Sequence, residues 1–122
     1  MFELEYCFEC LNGKYFLNVK EDNYQISTDI AELENKEGLL TEAENNAFQK
    51  QLNKAGIEKW DKENPASGNR IEDAVKWSVR YTAEGKEYFS TGEESYEPYT
   101  YNELIRALMI IDEKAQYFLI GE

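Results

Sequence analysis

Cys7 and Cys10 stand three residues apart, a spacing that redox and zinc proteins both use. A redox pair normally sits at a helix N-terminus, where the helix dipole lowers the thiol pKa. A zinc site needs two more soft ligands, and the chain has neither a third cysteine nor any histidine. Phe2, Leu4, Tyr6, Phe8 and Cys10 alternate with Glu3, Glu5, Cys7 and Glu9. In such a strand a spacing of three turns the two thiols to opposite faces. Two unpaired cysteines are expected, Cys10 toward the core and Cys7 outward, with no metal and no cofactor.

The absence of histidine removes the commonest general base, metal ligand and pH switch. Ser-His and Cys-His nucleophile pairs are therefore excluded. Glycosidase-type chemistry needs two carboxylates at a fixed separation in a cleft. The chain has 25 acidic residues, and spacing marks out no pair among them. Gly92 to Pro98 reads as a tyrosine-rich loop that holds Glu93, Glu94 and Glu97, without the D-x-[DN]-x-[DN]-G string of a calcium loop. No glycine spacing makes a phosphate-cradling loop. These residues lean against an enzyme.

Aromatic residues give the sharper signal. Trp77, Tyr81, Tyr88, Phe89, Tyr96, Tyr99 and Tyr101 place seven aromatics in 25 residues, twice the chain average of 14%. Tyrosine and tryptophan offer a large, rigid contact area with a polar tip, which suits both cores and interfaces. Parity assigns Trp77 and Tyr81 to the face of Val75 and Val79, and Phe89 to the other face beside Arg80. The candidate interaction surface is Phe89, Glu93, Glu94, Tyr96, Glu97 and Tyr99. Plugging a small core is the alternative use of the same aromatics.

The elements that must position these residues follow from pattern and turn chemistry. Asn12-Gly13 predicts a tight hairpin after the first strand. A turn there sets Cys10 opposite Tyr15, Phe8 opposite Leu17, Tyr6 opposite Val19 and Glu5 opposite Lys20. A second turn at Asp22-Asn23 returns Tyr24 to Thr28 and pairs Val19 with Ile26, completing a three-stranded meander. Asp29 is placed to cap a short helix that holds Ile30 and Leu33 and closes at Gly38. Thr41 and Glu44 form a capping box for a firmer helix with a stripe at Ala43, Ala47, Phe48, Leu52 and Ala55, ended by Gly56. Residues 59–73 read as an internal loop. Val75 to Tyr81 is a second strand pattern, and Glu84-Gly85 turns it into 86–91 with Tyr81 against Tyr88 and Arg80 against Phe89. Thr100 and Glu103 form another capping box, before a full stripe at Tyr101, Leu104, Ile105, Leu108 and Met109. Tyr117 to Ile120 is a last strand or a packed tail.

From residue 48 to about 113 this order resembles a loose group of small bacterial proteins with no assigned activity. The likeness rests on the helix into Ile57-Glu58-Lys59-Trp60, the W-x-V-x-Y strand at Trp77, Val79 and Tyr81, Gly92, Tyr96-Glu97-Pro98-Tyr99 and the closing helix with Leu104. Glu97 separates Tyr96 from Pro98, whereas Tyr and Pro adjoin in that group. The resemblance implies an α+β fold and a bacterial or phage-like source, and it implies no activity.

The expected fold is one α+β domain over residues 1–122. It has an antiparallel sheet of about five strands, the meander plus the later hairpin, packed with two main helices. A formal charge of −12 and a pI near 4.5 exclude a binder of nucleic-acid backbone or of anionic membranes, which needs a basic footprint. No basic start with an apolar run marks a signal peptide, and no stretch is long enough to span a membrane, so a cytoplasmic location is expected. The expected function is non-enzymatic: a module that binds an unidentified protein partner through an acidic, tyrosine-rich surface. An acidic inhibitor or DNA mimic that occupies a basic nucleic-acid site is a second class. A small ligand binder or enzyme that uses the loop carboxylates is a third.

Overall fold

The computed structural model describes residues 2–64, 75–93 and 100–119. Strands β1 (Glu3–Cys10), β2 (Gly13–Lys20), β3 (Asn23–Thr28) and β4 (Lys36–Leu39) precede helix α1 (Glu42–Ala55). A two-residue strand β5 (Glu63–Asn64), the hairpin β6 (Lys76–Ala83) and β7 (Lys86–Glu93), and helix α2 (Tyr101–Ile111) follow. The strands form one sheet in the order β4-β3-β2-β1-β6-β7-β5. Six of them are antiparallel neighbours, and β5 adds a short parallel pairing at the β7 edge. The fold class is α+β as expected, with six antiparallel strands where about five were predicted.

The added strand is β4. Residues 29–40 carry no helix; Asp29 caps nothing there and instead clamps the start of β2. Its Oδ1 accepts from the Lys14 backbone N–H at 2.7 Å, and its own N–H donates to the Lys14 carbonyl at 3.2 Å. Gly38 lies under the Tyr24 ring, where a Cβ would come within 2.9 Å of the hydroxyl. The strand therefore needs glycine for close approach rather than for a helix stop.

Both N-terminal turns sit one residue earlier than predicted. Cys10 pairs with Gly13, Phe8 with Tyr15 and Tyr6 with Leu17, so that Glu3 rather than Glu5 faces Lys20. Leu11 and Asn12 form the loop, and the positive φ falls on Gly13 alone, at 134°. A side chain on Gly13 would collide with Asp29. The clamp thus holds Gly13 and Lys14 inside the strand. In the next turn Glu21 takes φ 57°, and Val19 pairs with Tyr24 while Leu17 pairs with Ile26. A two-residue register shift keeps every side chain on its predicted face. The β6–β7 register is as predicted, with Tyr81 opposite Tyr88 and Arg80 opposite Phe89 around a turn in which Glu84 and Gly85 both have positive φ.

Both helices cover one face of the sheet. Phe48 of α1 meets Phe2 edge-on at 5.9 Å, and Tyr101 of α2 meets Trp77 at 5.3 Å. The inward residues Leu4, Tyr6, Phe8, Tyr15, Leu17, Val19, Trp77 and Val79 are buried. The Thr41–Glu44 capping box forms with both hydrogen bonds, and Gly56 ends α1 in the left-handed region. The Thr100–Glu103 box does not form. The Thr100 hydroxyl is drawn away: it donates to the Ala55 carbonyl at 2.6 Å and accepts from the Trp60 indole at 2.9 Å. Thr100 therefore ties the start of α2 to the end of α1. Of the expected stripe, Met109 is half-buried, and Ala107 and Ile111 are buried with the others. The chain then runs as a packed 3-10 tail, Glu113–Phe118, not a strand; Phe118 packs on Tyr6, Phe8 and Tyr15.

Candidate functional site: the open face of the sheet

Side chains that alternate away from the helices make the second face of the sheet. Among the described residues no helix packs on it. Register aligns these side chains in rows across β2, β1, β6 and β7. One row is Lys14, Glu9, Lys76 and Glu93; the next is Phe16, Cys7, Ser78 and Thr91. The third is Asn18, Glu5, Arg80 and Phe89, and the fourth is Lys20, Glu3, Thr82 and Glu87.

Phe89 is 41% exposed, and the Arg80 guanidinium stands 5.8 Å from its ring centre. Glu93 is exposed and pairs with Lys76 at 3.8 Å. Phe89 and Glu93 thus share this face, near one edge. Glu94, Tyr96, Glu97 and Tyr99 lie outside the described residues. Of the remaining clustered aromatics, Trp77 and Tyr101 belong to the core. Tyr81 and Tyr88 stack half-buried at 6.1 Å.

Phe16 was missed by the sequence reading. It is 37% exposed and stands on the polar face of β2, between Lys14 and Asn18. The signal was available: an aromatic residue at the parity of lysine and asparagine cannot reach the core.

A shallow depression of about 380 Å³ opens along the second row, lined by Cys7, Phe16, Ser78 and Thr91 and flanked by Lys14 and Lys76. Among its described lining residues Glu9 is the one carboxylate, and Lys14 pairs with it at 3.9 Å. The described lining therefore lacks the carboxylate pair of glycosidase-type chemistry. Burial pushes the Cys7 thiol pKa up, and Glu5 adds to this, against the opposing Ser78 hydrogen bond and Arg80 charge. A thiol held in its protonated form is a poor nucleophile. Cys7 and Cys10 are both free. Among the described residues no three His, Cys, Asp or Glu side chains gather as a metal site. No described helix is long and apolar enough to cross a membrane.

The chain was compared with known family models and with curated proteins, and none matches.

Proposed function

We propose that this chain is a non-enzymatic interaction module that docks a protein partner on the open face of its sheet. The observation that carries this reading is the pair of exposed aromatics, Phe16 and Phe89, on a face left bare by both helices. Aromatic side chains ringed by polar groups are the usual anchors of protein interfaces. Four strands of the sheet hold them on a rigid platform, so little conformational entropy is lost on docking. Glu93 belongs to the same surface. Glu94, Tyr96, Glu97 and Tyr99 follow β7 in the sequence and join the proposal on residue type alone.

The DNA-mimic reading gains less support. Carboxylates on the described part of this face alternate with Lys14, Lys20, Lys76 and Arg80, which breaks any phosphate-like row. The loop-carboxylate enzyme reading gains none from the depression.

The test is photo-crosslinking in cells that express the chain. A photoreactive phenylalanine analogue is placed at position 16 or 89, and at position 46 on the exposed side of α1 as a control. The expected result is one defined adduct from 16 and 89 that is absent from 46. Equal adducts at all three positions, or none at 16 and 89, would overturn the reading.

A further inference from the structure

The charge order of the open face is self-complementary, and we infer that the face pairs with a second copy of this chain about a two-fold axis. This rests on the reading of the face as an interaction surface and names its occupant. The axis runs parallel to the strands, between β1 and β6. Rotation about it lays β1 over the partner copy's β6 and β2 over its β7, with each row facing itself in reverse.

The first row reads plus, minus, plus, minus, from Lys14 through Glu9 and Lys76 to Glu93. Reversed on itself, it sets Lys14 over Glu93 and Glu9 over Lys76 of the other copy. The third row sets Glu5 over Arg80, and the fourth sets Lys20 over Glu87. Glu3 meets the neutral Thr82. No like charges meet in any row. In the second row Phe16 of each copy stands over Thr91 of the other, at the mouth of the depression.

Other placements set like charges together or make fewer pairs. An axis along β1 sets Glu9 on Glu9 and Lys14 on Lys76. An axis along β6 sets Lys76 on Lys76 and Glu9 on Glu93. An axis at right angles to the strands sets Lys14 on Lys20. Moving the axis to the gap between β1 and β2 pairs only Lys14 with Glu9 and Lys20 with Glu3. An isologous interface of this kind repeats every contact twice.

The charges are free to serve both copies. Within one chain Lys14–Glu9, Lys76–Glu93 and Arg80–Glu87 are loose pairs at 3.9, 3.8 and 3.6 Å, each partner half or more exposed. Aligned sheets pack about 10 Å apart with strands about 30° from parallel, which keeps the central rows in step. Four strands of eight residues cover about 19 by 27 Å, which lies at the small end of stable interfaces. The net charge of −12 opposes association at long range. The dimer is therefore a weak one, best seen near 0.15 M salt, where the Debye length is about 8 Å.

Sedimentation of the full chain over a concentration series tests this, with K14E, E93K and the double variant K14E/E93K. Lys14 and Glu93 lie three strands apart in one chain, so they meet only between copies. The wild type is expected to dimerise, and each single variant to weaken the dimer about tenfold, since each change counts twice. E93K should weaken it even though it lowers the net negative charge. K14E/E93K should return to within about threefold of the wild type, although it breaks both pairs within the chain. A wild type that stays monomeric at every concentration overturns the inference. So does a dimer that the single variants leave intact, or one that the double variant fails to restore. A monomeric chain that still gives a foreign adduct at position 16 or 89 overturns self-pairing alone and leaves the docking face standing.

Discussion

The hydroxyls of Tyr6 and Tyr101 meet at 2.5 Å across 95 residues of chain. Tyr6 is on the central strand β1 and Tyr101 is the first residue of α2, so the contact joins the N-terminal meander to the closing helix. Both rings are buried in the core. A buried hydroxyl needs a partner, and each supplies the other's. A double-mutant cycle of Y6F and Y101F should give a coupling of about 1 kcal/mol by denaturant unfolding.

A second buried pair sets the alkaline limit. Tyr15 donates to Asp112 at 3.1 Å. Burial first, and then the Asp112 charge and hydrogen bond, push the Tyr15 pKa far above its ordinary value of 10.0. The folded chain therefore keeps a proton that the unfolded chain loses once the pH passes that value. This contribution is whole below about pH 10 and is lost as the pH rises further. Stability measured from pH 9 to 11 should fall, and Y15F should flatten the fall by up to about 1.4 kcal/mol per pH unit. An unchanged slope in Y15F would show that Tyr15 ionises freely in the folded chain.

Asp112 also accepts from the Lys114 backbone at 3.2 Å, starting the 3-10 tail that places Phe118 in the core. D112A removes this cap and the Tyr15 acceptor together. The expected loss is about 2–3 kcal/mol, read as a lower denaturation midpoint.

Gly92 pairs with Trp77 across β6 and β7, and a Cβ there would run into the Trp77 indole. The ring is core and cannot swing away. G92A should cost about 2–3 kcal/mol by overpacking. G56A has open space around it and is penalised only by its φ of 61°. It should cost less in the same thermal melt, by about 1 kcal/mol.

Much of this fold was legible because side-chain parity is robust. Glu3 through Cys10 and Val75 through Tyr81 have the alternation of half-buried strands, and a turn misplaced by one residue left their faces unchanged. The β6–β7 register was legible because Glu84-Gly85 states its own turn. Other features depended on distant residues. Gly13 enters β2 because Asp29, far on in the chain, clamps the neighbouring Lys14. Thr100 abandons its cap because Ala55 and Trp60, far back in the chain, compete for its hydroxyl. β4 has almost no strand signal in Lys-Glu-Gly-Leu; it forms by closing over Tyr24. At the candidate surface, Phe89 was legible from parity; Glu93, expected in a loop, instead ends β7 opposite Lys76. Phe16 was equally legible, since it shares the parity of Lys14 and Asn18, but the apolar face of β2 masks that signal.

The central claim is that the open face, rather than the helical side or a sheet edge, is where this chain is bound. Backbone amide shifts followed from micromolar to millimolar concentration at physiological salt test it most directly. The expected result is that amides of Cys7, Phe16, Ser78, Phe89 and Thr91 move together along one binding curve, while those of α1 stay still. Movement centred on α1 or β4, with the open face unmoved, would contradict it.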